Sequence, residues 1–365
     1  MGKLGISIYP DKMAFSQIEQ YMRMAAKYHF SEVFTSLLQV KGSQKDVINT
    51  FKPFANLAKE LNFDVIIDLN PALFQQLDIS FDDLSFFNQL GVAAVRLDQA
   101  FSGIEEAIMT NNPYGIKIEL NMSAASRHVE TIKAFGANLS NLTASHNFYP
   151  QRYTGLETDF FKKATKIFTD LGLTTAAFIN SQAAEIGPWP LEEGMPTLEI
   201  HRDLPIETQV THFRLLGGID NLLISNAVAD ENELKAAAEA FFSPFPIFHV
   251  DLVNDSSDLE KEILFKNSHF YRGDLSGYMI RSTQTRVKYQ HEDIPAHDTD
   301  LIQTGDVLIE NSLYGQYKGE TQIALKPMKN SGRTNVVAKI TTQDKFLLPC
   351  LKPWAGFLMK SSLDC

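Results

Sequence analysis

The chain repeats one unit eight times over roughly its first 235 residues: a short apolar strand, a polar junction, then a segment of helical period. The strand candidates are residues 4–9 (LGISIY), 32–38 (EVFTSLL), 64–70 (DVIIDLN), 93–99 (AAVRLDQ), 116–123 (IKIELNMS), 141–148 (NLTASHNF), 174–181 (TTAAFINS) and 221–227 (NLLISNA). Between them, FSQIEQYMRMAAKY, FKPFANLAKELN and TDFFKKATKIFTDLG place apolar residues three and four apart, and a glycine or asparagine often closes the helix. Strands that alternate with helices are buried on both faces of a parallel sheet. Eight of them predict an α/β fold, a (β/α)8 TIM-type barrel, with a doubly wound open sheet as the alternative. The lack of a glycine-rich phosphate fingerprint after the first strand counts against a nucleotide-binding open sheet.

From about residue 245 the helical repeat is no longer evident. GYMIRST, DVLIEN and TQIALKP are short and strand-like, separated by turn residues such as Gly305 and Gly319. They predict a separate small all-β, barrel-like domain, so the chain divides into residues 1–240 and 245–365. The tail LPCLKPWAGFLMKSSLDC is apolar without a clear period.

The barrel strands end in polar residues: Ser36, Asp68 with Asn70, Arg96 with Asp98, Lys117 with Glu119 and Asn121, His146 with Asn147, Asn180 and Asn226. Burying a charge costs several kcal/mol unless it is paired or used. In a barrel of this kind the carboxyl ends of the strands face the active site. Arg96 and Asp98 share a parity, as do Lys117 and Glu119, so two neighbouring strands are expected each to place a cation one layer below a carboxylate. One reading is a structural ion network at the barrel mouth. The other is an acid–base pair whose pKa values the cations set, and two carboxyls flanking a glycosidic bond are the minimal apparatus for glycoside hydrolysis. Asp98 and Glu119 form the expected pair, with Asp68 in reserve.

The loop after the sixth strand, SHNFYPQRYTGL, gathers His146, Asn147, Tyr149, Arg152 and Tyr153, which suits a sugar bearing an anionic group. The alternative is a loop pinned by Pro150 and Gly155, with Arg152 solvated. The long loop at 182–205 adds Trp189, either a stacking surface or a packing anchor, and Arg202, a further anion candidate. His146 has no second histidine at a ligand spacing, and Cys350 and Cys365 form neither a disulfide framework nor a metal motif, so no metal or cofactor is expected. A net charge of -11 and a pI near 5.3 argue against nucleic acid or an anionic membrane as the main partner, but leave room for an anionic small molecule. MGKLGISIYP does not read as a secretion signal and no long apolar run follows, so a cytoplasmic location is expected.

The segments LGISIYP, FSEVFTSLL, RLDQAFSG, IELNMS, SHNFYPQRYTGL, RGDLSGYMIRSTQTR, GDVLIENSLYGQYKGETQIAL and GRTNVVAKI resemble the MupG family of 6-phospho-N-acetylmuramidases over roughly residues 3–340. The resemblance implies a TIM barrel followed by a cyclophilin-like domain, and an intracellular exo-acting glycosidase of peptidoglycan recycling. The implied substrate is 6-phospho-N-acetylmuramic acid β-1,4-linked to N-acetylglucosamine. Its phosphate and lactyl carboxylate call for two cationic subsites, with Arg96, Arg152 and Arg202 as candidates and Lys117 instead tuning Glu119. Glu119 is then the expected proton donor and Asp98 its partner, unless the substrate's own N-acetyl group assists. Asn121, His146, Asn147, Tyr149, Asn180 and Asn226 complete the expected substrate contacts. Other readings are a barrel enzyme for another phosphorylated sugar and a non-catalytic sensor of cell-wall fragments; a homo-oligomer is compatible with all of them. Arg281, Asn311, Tyr317 and Glu320 of the second domain either close over the barrel mouth or hold that domain together.

Overall fold

The computed structural model describes residues 2–36, 44–69, 71–188 and 193–364. Eight strands, β1 (Leu4–Ser7), β2 (Phe30–Ser36), β3 (Asp64–Leu69), β4 (Ala94–Leu97), β5 (Lys117–Asn121), β6 (Leu142–Ser145), β7 (Thr174–Ile179) and β8 (Asn221–Ile224), pair in sequence order. All pairs are parallel, and β8 returns to β1 to close the barrel. Helices cross between the strands. The helix Phe15–Lys27 buries Ile18, Tyr21, Met22 and Ala25, a single stripe at helical spacing, and Thr158–Thr169 buries Phe161, Ala164, Thr165 and Phe168.

Part of the barrel interior is apolar, built from Phe34, Ile66, Ala94, Ala176, Phe178 and Leu223 with Phe148 against them. The rings of Phe34 and Phe178 meet edge to face at 5.2 Å. Gly5 belongs to this interior because a Cβ there would stand 3.0 Å from the Glu32 backbone and from Leu223. The charged residues share β3 and β4 with this cluster, and their layering differs from the sequence expectation. Asp68 is level with Arg96, and Arg96 with Glu119, whereas Lys117 is level with Ala94 at the opposite end of the strands. The stagger between neighbouring strands in a closed barrel sets these heights, which parity alone does not reveal.

The chain separates into two compact units, Met1–Val210 with Gly217–Ala238, and Thr211–Leu216 with Glu239–Cys365. The second unit holds a seven-stranded sheet made of β9 (Ile247–Leu252), β10 (His269–Phe270), β11 (Met279–Ser282), β12 (Asp306–Glu310), β13 (Thr321–Ala324), β14 (Thr334–Ile340) and β15 (Gly356–Ser361). Their order is β10-β15-β9-β14-β12-β13-β11, and the Arg272 amide donates to the Arg281 carbonyl between the outer strands, nearly closing a second barrel. Phe248, Val250, Ile263, Val307, Ile323 and Phe357 are among its core residues. Two features depart from the sequence expectation. Helices Asp258–Phe265 and Gln284–Tyr289 interrupt the strands, the first capped reciprocally by Ser257 and Glu260. The tail supplies β15, which runs parallel to β9.

Candidate active site

Arg96 is the only charge of β4, and it is buried. Its guanidinium is fully engaged: Nη1 donates to Asp68 Oδ1 at 2.6 Å, Nε donates to Ser145 Oγ at 2.8 Å, and Nη2 donates to Asn147 Oδ1. Nη1 also lies 3.6 Å from Asp98 Oδ1, and Nε lies 3.8 Å from Glu119 Oε1. One cation therefore meets three carboxyl groups from the ends of three consecutive strands. Because Asp68 and Asp98 meet the same nitrogen, those two carboxylate oxygens stand within about 6 Å of each other.

The three carboxyls differ in depth. The Asp98 side chain is 40% exposed, that of Asp68 12% and that of Glu119 8%. Burial pushes the Glu119 carboxyl above its ordinary range, against hydrogen bonds from Ser145 and the charge of Arg96. Burial likewise raises Asp68, which Arg96 opposes and Asp98 reinforces. Glu119 also borders a cavity at the N-terminal mouth of the barrel, beside Lys3, Glu32 and Asn221. Lys117 does not tune Glu119 by contact: its Nζ donates to the Ser140 carbonyl and to Asn141 Oδ1.

Several expected ligands turn out to shape loops. Asn121 donates to the Asp98 carbonyl at 3.1 Å and accepts from the Ser123 amide. Asn180 accepts from the Met195 amide and donates to the Arg202 carbonyl, and Asn226 bridges the backbone of Ser181 and Ala184. His146 points away from the barrel axis and packs on Phe161 with ring centroids 4.5 Å apart. Its Nε2 lies 2.9 Å from Thr165 Oγ1, a hydroxyl already donating to the Phe161 carbonyl, which assigns the ring proton to Nε2. Burial holds this imidazole neutral, with its pKa down at about 3.

Arg202, expected as an anion receptor, has no donor to spare. It meets both oxygens of Glu199 and the carbonyls of Tyr149, Gln151, Glu193 and Gly194. Glu199 in turn accepts from the Tyr153 and Gly155 amides, so the loop after β6 is pinned to the loop after β7. Tyr153 is exposed and Tyr149 half-buried. Arg152 differs from Arg202: it is paired with exposed Asp203 at 2.7 and 3.1 Å on the rim of a depression of about 540 Å³ that also includes Ser181 and Gln182. Ser36 ends β2, while Asn70 and Trp189 lie outside the described residues. Ser123 and Ser145 were not anticipated. Ser145 shares the inward parity of Asn147, and that signal alone would have found it.

Among the described residues no group of three or more histidine, cysteine, aspartate or glutamate side chains is placed to hold a metal ion, and no helix is long and apolar enough to cross a membrane. In the second unit, Arg281 and Arg286 both pair with buried Glu320, at 2.8 and 3.2 Å. Arg286 also lies over the Tyr317 ring, and Asn311 ties the Gly332 carbonyl to Asn335. Within the unit these contacts hold the sheet's connections together.

Two family models match the chain in tandem, one described as 6-phospho-N-acetylmuramidase, N-terminal, over residues 4–239, and one as 6-phospho-N-acetylmuramidase, C-terminal, over residues 246–360. An uncharacterized protein of B. cereus shares 41% identity and superposes with a TM-score of 0.91, covering 98% of this chain and 99% of its own. A conserved protein of unknown function from Enterococcus faecalis shares the fold at 24% identity and a TM-score of 0.75, over 99% of this chain and 96% of its own. No curated protein matches the chain.

Proposed function

The chain belongs to the 6-phospho-N-acetylmuramidase family of glycosidases, and from that premise we propose that it hydrolyses the disaccharide of 6-phospho-N-acetylmuramic acid β-1,4-linked to N-acetylglucosamine, inside the cell, in the recycling of cell-wall fragments. The observation that carries the chemistry is the pair of carboxyls, Asp68 and Asp98, on one nitrogen of Arg96. Two carboxyls whose contacting oxygens lie no more than about 6 Å apart are nearer the spacing of about 5 Å of a retaining hydrolase than the wider spacing of an inverting one.

The roles follow from depth. Asp68, whose pKa burial raises, is the acid of the pair and gives its proton to the departing O4 of N-acetylglucosamine. Asp98, the more exposed of the two, attacks the anomeric carbon of the muramyl unit. Water then cleaves that ester as Asp68 takes the proton back. Glu119, first in line from the sequence, is moved to a positioning role: it is level with Arg96, 3.8 Å from its Nε, and is more buried than Asp98, bordering the cavity at the other mouth. Asn147 and Ser145 aim the guanidinium, and Arg152, whose only side-chain partner among the described residues is an exposed aspartate, is the cation best placed to receive the phosphate.

The test is mass spectrometry of the protein incubated with the phosphorylated disaccharide, its unphosphorylated twin, and the Asp68→Asn and Asp98→Asn variants. Cleavage of the phosphorylated compound alone, lost in both variants, supports the reading. An intact disaccharide that nevertheless binds would make the protein a sensor, and cleavage of other phosphorylated glycosides in its place would move the substrate class.

A further inference from the structure

The N-terminal mouth of the barrel, away from the carboxylate–arginine cluster at the other end, opens into a cavity of about 690 Å³. In most barrels of this kind that end is a packed floor that serves stability. Here its wall carries two buried carboxyls, Glu32 and Glu119. Glu32 is 6% exposed. Its Oε1 accepts from Asn221 Nδ2 at 2.9 Å and lies 3.8 Å from Lys3, while its Oε2 is buried with no hydrogen-bond partner among the described residues. Leaving such an oxygen unpaired costs about 1–3 kcal/mol or more.

Neither nearby cation meets Oε2. Lys3 donates to Asp64, and Lys117 reaches out to Ser140 and Asn141. Burial and then the charge of Glu119 push the Glu32 carboxyl up to about 7, which is what a site short of positive charge does to an acid. Ile66, Ala94 and Ala176 supply an apolar wall beside the carboxyls.

We propose that this cavity is a binding site for a small primary amine, its ammonium donating to Glu32 Oε2 and lying near Glu119 and its carbon stem resting on Ile66, Ala94 and Ala176. An ammonium supplies three donors and the missing charge at once, which a neutral hydroxyl compound does not. The volume falls in the range of small-molecule sites.

Isothermal titration calorimetry with n-butylammonium chloride, n-butanol and sodium butyrate at matched ionic strength tests the site. Saturable binding of the amine alone is expected, weakened about tenfold or more in Glu32→Gln by loss of a charged hydrogen bond, and unchanged in Asp98→Asn. Ala94→Leu, which narrows the cavity from its apolar wall, is expected to abolish binding. Carbon-13 NMR of the wild-type Glu32 carboxyl gives a readout free of mutation: the amine should move its titration to lower pH. Equal binding of butanol, undiminished binding in Glu32→Gln, loss in Asp98→Asn or an unmoved Glu32 resonance would each overturn the proposal.

Discussion

Arg96 and Asp68 stand level on adjacent parallel strands, and Nη1 of the arginine donates to Oδ1 of the aspartate at 2.6 Å, with Asp98 at 3.6 Å from the same nitrogen. Three carboxyls share one guanidinium, and burial raises the pKa of the two deeper ones, Asp68 and Glu119. The geometry of the cluster depends on the planar fork. Arg96→Lys keeps the charge but cannot hold Ser145, Asp68 and Asn147 together. We expect kcat to fall by about a hundredfold or more, with Asp98→Asn lower still and Glu119→Gln least affected of the carboxyl variants. Steady-state kinetics on the phosphorylated disaccharide decides the order; a Glu119→Gln loss equal to that of Asp98→Asn would return Glu119 to the reacting pair.

Arg202 and Arg152 should separate cleanly. Arg202→Met leaves Glu199 with only the Tyr153 and Gly155 amides and releases four carbonyls from a buried guanidinium, so unfolding should become easier by about 1–3 kcal/mol. Arg152→Met removes an exposed pair, which changes stability by about 1 kcal/mol at most, while the KM for the phosphorylated substrate rises. Denaturant melts and kinetics of the two variants, run together, check both. A stable Arg202→Met with a raised KM would restore Arg202 as the anion receptor.

Glu32 gives the fold a pH signature. Its folded pKa, about 7, lies above the ordinary 4.5, so between those values the native state binds more protons than the unfolded state and stability falls as pH rises. By pH 8 the loss approaches about 3 kcal/mol, 1.4 for each pH unit of the window. Glu32→Gln should therefore be more stable than the wild type at pH 8 and similar at pH 5. Urea unfolding at the two pH values measures this directly, and parallel wild-type and variant curves would rule it out.

His146 acts in the opposite sense. Its folded pKa, about 3, lies below the ordinary 6.5, so the unfolded state binds the extra proton and stability falls as pH drops below 6.5. At pH 5 the expected loss is about 2 kcal/mol. His146→Gln should flatten the acid limb of the stability curve, with NMR of the imidazole showing a ring still neutral at pH 5.

The eight strands were legible because strands buried on both faces are apolar runs, and an arginine and an aspartate in such a run stand out, as Arg96 and Asp68 do. Height along the barrel axis was not legible. Parity puts Arg96, Asp98, Lys117 and Glu119 on the inner face but does not show that Arg96 pairs in register with Glu119 while Lys117 falls to the other mouth. Nor does polarity at a strand end distinguish a ligand from a backbone brace. Asn180, Asn226 and Arg202 satisfy loop amides and carbonyls, an obligation every sharp connection has, and only coordinates show where those groups lie. In the second unit the helix Asp258–Phe265 is too short for its period to register, although Ser257 and Glu260 mark its start.

Charged groups fill much of the barrel interior, with Glu32 and Glu119 beside the cavity at one mouth and Arg96 level with both Glu119 and Asp68, where side chains such as Leu, Ile and Val would ordinarily interlock. A barrel built this way gives up cohesion along its own axis in order to be reactive at one end. Its easiest route to greater heat tolerance is then through the residues it can least lose: replacing Asp68, Arg96 and Glu119 together with apolar side chains of matching volume should raise the melting temperature and leave an inert protein.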